Sequence, residues 1–158
     1  DRAAAGEAML PLVQVMSVLG DARTFEIGAE ALAILEPLPP GPPLVGALTE
    51  VARAGVLSGD AEIGVRDAGR AIALADEVGM PVPARALGYR GLGRCQLGDR
   101  GGLDDLREAL RLAIEAGQSR EAGTLYNNLG KRQAPRGRFH LVHGGDAPNF
   151  NGFEDYLP

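Results

Sequence analysis

An all-α fold of stacked helical hairpins is what this sequence predicts, and three observations predict it. Gly20, Gly59 and Gly98 lie at intervals of 39 residues, and each is followed by aspartate: Gly20-Asp21, Gly59-Asp60 and Gly98-Asp99. Eleven or twelve residues beyond each glycine comes a small residue joined to an aliphatic one: Ala31-Leu32, Ala71-Ile72 and Ala109-Leu110. No stretch before residue 138 alternates apolar and polar side chains as a half-buried strand would. A fixed period of this length marks repeated supersecondary units. Gly-Asp reads as the turn inside each unit, because glycine adopts positive φ at little cost and aspartate caps the helix that follows.

Taken in order, residues 3–19 read as a first helix, with Met9, Leu12, Val13, Met16 and Leu19 on one stripe. Pro11 either kinks this helix or sits in its first turn. Residues 22–36 read as a second helix with Phe25, Ile27, Ala31, Leu32 and Leu35 as its apolar positions. The run Pro37-Leu-Pro-Pro-Gly-Pro-Pro43 stops it, and five prolines in seven residues predict a stiff, extended connector. A third helix is expected over 44–57 (Leu44, Leu48, Val51, Leu57) and a fourth over 60–78, closed by Gly79-Met80-Pro81 in the order of a helix stop. A fifth helix, 83–97, contains Gly88, Gly91 and Gly93, each costing about 1 kcal/mol of helix propensity against alanine. Close packing against neighbouring helices is the expected compensation. A sixth helix covers 102–116, with Asp104 and Asp105 in its first turn, where the helix dipole favours them. A seventh covers 120–133. The repeat region is thus 1–134, with hairpins over 3–36, 44–78 and 83–116. Residues 135–158, rich in Gly and Pro and holding four of the seven aromatics, read as an irregular or disordered tail.

Composition narrows the function classes. Apolar residues make up 45% of the 158, enough for a core, but aromatics are only 4% and Trp is absent, so Ala, Leu, Ile and Val must do the packing. The net charge of −5 opposes a nucleic-acid footprint, which needs a dense positive face. Of 16 basic residues only Lys131 is lysine, and with the excess of Ala, Gly and Pro this matches a GC-rich bacterial coding sequence. Cys95 is the single cysteine, so no internal disulfide forms, as suits a reducing cytoplasm. The most apolar run, Met9 to Leu19, is too short to span a bilayer. The start at Asp1, with no basic-then-apolar leader, suggests a segment of a longer protein.

The residues Tyr126-Asn-Asn-Leu129-Gly130 resemble the aromatic-x-x-Leu-Gly opening of helix A in tetratricopeptide (TPR) repeats. The Gly-Asp corners resemble the ends of that family's helix A, Ala31, Ala71 and Ala109 its small helix-B positions, and Pro37 and Pro81 its proline after helix B. The period departs from the family's, 39 rather than 34, and Met9, Leu48 and Leu87 stand where the family carries Trp. The resemblance implies a right-handed α-α superhelix whose helix-A faces line a concave groove for a protein or peptide partner. It would place Gln14, Ser17, Thr49, Arg53, Val56, Leu92, Cys95, Asn127 and Lys131 on or near that groove. The chaperone-tail carboxylate clamp of the family is not reproduced. Longer, Arg-rich repeats of this kind are similar to sensor regions of bacterial multi-domain signalling and transcriptional regulators.

Chemistry is scarce. His140 and His143 are the only histidines and, with Asp146, fall short of the three or four protein ligands a zinc site uses, so they are read as tail residues without a metal. Gly88-Tyr-Arg-Gly91-Leu-Gly93 lacks the strand that a phosphate-binding loop follows. Asp76-Glu77 and Asp104-Asp105 read as helix-end charges, Cys95 as a buried small hydrophobe, and the basic run Lys131, Arg132, Arg136, Arg138 as a solvated helix end. Phe150-Asn-Gly-Phe153-Glu-Asp-Tyr156-Leu157 has the look of a docking motif or of a non-native end. The expectation is a non-catalytic interaction or sensor segment of a larger bacterial cytoplasmic regulator, with no cofactor, nucleic acid or membrane. Self-association that oligomerises the host is the first alternative, and a small enzyme or metal protein using the tail histidines the second.

Overall fold

The computed structural model describes residues 2–19 and 23–133, with side chains described over 4–16 and 23–132. They form seven helices: α1 (Arg2–Leu19), α2 (Thr24–Leu35), α3 (Pro42–Ser58), α4 (Ala61–Glu77), α5 (Ala84–Gln96), α6 (Gly102–Glu115) and α7 (Ser119–Gln133). There is no strand among the described residues. Each helix packs on the next in sequence. In addition α1 touches α3, α3 touches α5 and α5 touches α7, whereas α2, α4 and α6 touch only their sequence neighbours. Alternate helices therefore share one face, and the others lie behind them.

Helix ends follow local chemistry. Gly59 (φ 94°) and Gly98 (φ 85°) are left-handed, a conformation that L side chains resist. In both turns the next amide reaches back five residues: Asp60 N–H donates to Gly55 O at 2.8 Å and Asp99 N–H to Arg94 O at 2.9 Å. The same bond recurs after Gly79 and Gly117, from Met80 to Ala75 and from Gln118 to Ala113, both at 2.8 Å. The corner at Gly20-Asp21 lies outside the described residues. Asp60 caps α4 as expected, accepting from Ile63 N–H at 3.2 Å. Asp99 does not cap α6. Its carboxylate is drawn aside to Arg94 (2.8 Å) and to Gly101 N–H (2.9 Å), and α6 starts at Gly102 without a side-chain cap.

The proline run behaves differently from a wholly extended connector. The chain turns at 36–37, and α3 begins at Pro42, two residues before the expected start. Proline in the first helical turn forfeits only an amide that has no partner there anyway, and its φ already suits a helix. Pro11 lies inside α1, nine residues after its start, and not in its first turn.

Small residues set the helix crossings. Ala31, Ala71 and Ala109, the recurrent small positions, are completely buried, as are Ala68, Ala75 and Ala113. On α4, a Cβ at Gly64 would strike Val56 and come within 3.1 Å of Ala52 O; on α6, a Cβ at Gly102 would strike Gly91 O and reach Cys95 Sγ at 2.8 Å. The two hairpins thus cross by the same backbone approach. The three glycines of α5 face three different helices: Gly88 meets Leu125 of α7, Gly91 meets Gly102 O of α6 at 2.7 Å, and Gly93 meets Val65 of α4 at 2.9 Å. This is the close packing that offsets their low helix propensity. Leu12 and Leu57, placed on apolar stripes by sequence, are instead 49% and 58% exposed.

A buried carboxylate fastens the α5–α6 hairpin, and another gathers arginines on α4. Asp105 of α6 accepts two bonds from Arg90 (2.9 Å each) and one from Arg94 (2.9 Å), both on α5. Asp67 of α4, with no exposed surface, holds Arg66 and Arg70, and Arg70 reaches on to Glu36 at 2.5 Å. Asp105 is thus more than a helix-end charge, while its neighbour Asp104 pairs with exposed Arg107. Burial alone would raise the Asp105 pKa; the bonds from Arg90 and Arg94 prevail and hold it below its ordinary 3.8. A depressed folded-state pKa adds stability that is present above 3.8 and lost as pH falls through the folded value.

Gly91→Ala should lower unfolding free energy by about 1–3 kcal/mol, because its new methyl meets backbone that cannot move aside. Gly69→Ala in α4, where nothing lies within 4 Å, should raise it by about 0.4–1 kcal/mol. Urea melts of both variants check the pair. Asp105→Asn should cost about 1.5–3 kcal/mol at neutral pH and progressively less below pH 3.8, measured by melts across pH.

Candidate functional site

A groove of about 460 Å³ is lined by Gln14, Val15, Arg53, Arg85, Tyr89, Arg120, Glu121 and Thr124. These residues come from α1, α3, α5 and α7, the four helices that share a face. Its size falls within the usual range of ligand pockets.

Under the groove lies Glu50, 2% exposed on α3. Gln14 Nε2 donates to Glu50 Oε1 at 3.1 Å, and Arg85 Nη1 pairs with the same oxygen at 2.7 Å. Arg85 extends the chain of contacts to Glu121 on α7 at 3.9 Å, and its guanidinium sits 5.9 Å from the Tyr89 ring centroid. One polar path therefore joins all four inner helices. Its weak point is the second oxygen: Glu50 Oε2 and Arg53 Nη1 are 3.8 Å apart, and neither makes a hydrogen bond although both atoms are buried. Burial raises the Glu50 pKa above 4.5, and the charges of Arg85 and Arg53 with the Gln14 bond offset only part of that rise.

Of the residues that the resemblance assigned to a groove, Gln14 and Arg53 line it. Thr49 and Leu92 do not present themselves to a partner. Thr49 is 6% exposed and its hydroxyl is spent on Val45 O at 2.8 Å. Leu92 is buried with Val56 and Tyr89. Cys95 is half-buried against the α5–α6 core, and burial pushes its thiol pKa up, so it behaves as a packing residue. Asn127 and Lys131 are exposed on α7 and do not line the groove. The side chain of Ser17, the basic residues 136 and 138, the tail histidines with Asp146, and the segment Phe150–Leu157 lie outside the described residues.

The sequence reading missed Glu50, Arg85, Tyr89, Arg120 and Glu121. One signal was present: Glu50 interrupts an otherwise apolar run, Leu48-Thr-Glu-Val51, with Arg53 three residues on. Gln14 and Glu50 are 36 residues apart, off the 39-residue period, so the repeat does not mark them as neighbours.

Among the described residues no group of His, Cys, Asp and Glu is arranged to hold a metal ion, and no helix is long and apolar enough to cross a membrane. Comparison with protein-family models, with curated proteins and with solved structures finds no match. Over the described residues the geometry defines an all-helical fold with a charged groove on the face shared by alternate helices.

Because the Glu50 pKa is raised, its ionisation works against the fold as pH climbs from 4.5 to the folded-state value. Glu50→Gln lacks that penalty. Its stability relative to the parent should therefore improve as pH rises above 4.5, measured by denaturant melts from acid to neutral pH.

Proposed function

We propose that this chain is a tetratricopeptide-type helical-repeat segment that binds a protein partner along the face of α1, α3, α5 and α7 and carries out no chemistry of its own. The observation that carries the reading is the groove itself, lined by one or more residues from each of those four helices and from none of the others. Support also comes from the matched turns at Gly59 and Gly98 and the matched crossings at Gly64 and Gly102. A helix pair that recurs in this way covers its neighbour's apolar side and leaves one extended face for a partner. The Arg-rich, Lys-poor composition supports a bacterial host protein, with this segment as its interaction or sensor part acting in the cytoplasm.

A second reading, self-association, draws on one specific observation: Leu12 and Val15 on α1 are 49% and 57% exposed. A second copy covering them would give concentration-dependent sedimentation.

A photo-reactive residue in place of Thr124, in the groove, should cross-link a discrete protein in extract of the expressing organism. The same residue in place of Ala73, exposed on α4, should not. Cross-linking to the chain itself would transfer the role to self-association, and equal labelling from both positions would contradict the groove reading.

A further inference from the structure

Charge in the groove is not balanced. Arg53, Arg85 and Arg120 line it, from three different helices, against Glu121 in the lining and Glu50 beneath. Three positive charges thus face two negative ones, on a chain whose net charge is −5. The two acids are not shared evenly. Arg85 takes the close contact with Glu50 (2.7 Å) and, among the described residues, the only ion pair with Glu121 (3.9 Å). Arg53 is left with a 3.8 Å approach to Glu50 and an Nη1 that makes no hydrogen bond. Arg120 is exposed at the start of α7 and makes no ion pair among the described residues. Two guanidiniums therefore reach the groove without a close acidic partner, and a guanidinium fork is shaped for planar oxyanions.

Resting on the groove reading above, we propose that the partner is an acidic peptide segment whose Asp or Glu side chains pair with Arg120 and Arg53. A carboxylate carries the single negative charge that would neutralise the groove. Val15 and Tyr89 in the same lining give an apolar side chain of the peptide a place beside it. Nucleic acid is disfavoured, since the rest of the chain would repel a polyanion.

The test is selection of a random dodecapeptide display library on the full chain, followed by affinity measurement of the synthetic winners. The winners should be rich in Asp and Glu, and their Asn/Gln analogues should bind about tenfold or more weakly. Arg120→Glu should weaken the acidic winners by a similar factor, and Arg120→Gln by less. Arg100→Glu, the same charge change in the exposed α5–α6 turn, should leave affinity near that of the parent. Thermal melts of each variant establish that the fold is kept, and Arg120→Gln serves if the reversal disturbs it. Neutral or basic winners that Thr124→Trp blocks but Arg120→Glu spares would overturn the acidic partner and leave the groove reading standing. Winners indifferent to both Thr124→Trp and Arg120→Glu, or no winners, would overturn both.

Discussion

A left-handed glycine followed by an amide that reaches back five residues ends α3, α4, α5 and α6 alike. This closure satisfies carbonyls that a helix end would otherwise leave without partners, and it begins the reversal of the chain in connections that run from two residues (α3–α4) to six (α4–α5). The reversal lays each helix against its predecessor closely enough for backbone to meet backbone at Gly64 and Gly102. With that distance set, fully buried alanines are sufficient to fill the contact, and a chain without Trp packs a core. Larger residues at these crossings would hold the helices apart, and the alternate helices could no longer meet to form one face.

The inner face carries a different kind of interaction. Apolar packing between helices is broad and tolerant, whereas the path Gln14–Glu50–Arg85–Glu121 ties specific residues on four helices in a fixed order. A buried ion pair contributes little net stability once desolvation is counted, but removing one member is costly because the other is stranded. The path therefore acts more to fix how the inner helices sit beside one another than to hold them together. It also distributes charge: Arg85 makes the close contact with Glu50 and reaches Glu121, Arg53 has the longer 3.8 Å approach to Glu50, and Arg120 has no ion pair among the described residues.

Much of the fold was legible in the sequence because the features that set it are local. The glycine turns and the buried alanines each act within one turn or one crossing, and all seven helices stand within two residues of their expected ends, although the proline run read as a connector gives its last two residues to α3. Where local reasoning erred, a neighbour intervened. Asp99 left its capping role for Arg94, and Leu57, apolar and in phase, fell on the side of α3 that no helix covers. The groove was much less legible. Gln14 and Arg53, which the resemblance assigned to a groove, line the cavity, but Glu50, Arg85, Arg120 and Glu121 come together through packing of helices about 36 residues apart, a spacing the repeat does not carry. Thr49 and Leu92 show the converse, since the resemblance placed them on a surface and packing buries them, Leu92 against Val56 and Tyr89.

Residue-resolved amide hydrogen exchange tests the central claim most directly, that one helix-turn unit recurs with equivalent closures. The amides of Asp60 and Asp99, and of Met80 and Gln118, lie in turns where exchange is ordinarily fast. The account predicts that all four exchange slowly, with protection matched within each pair. Free-chain exchange at Asp99 beside protection at Asp60, or the reverse, would contradict it.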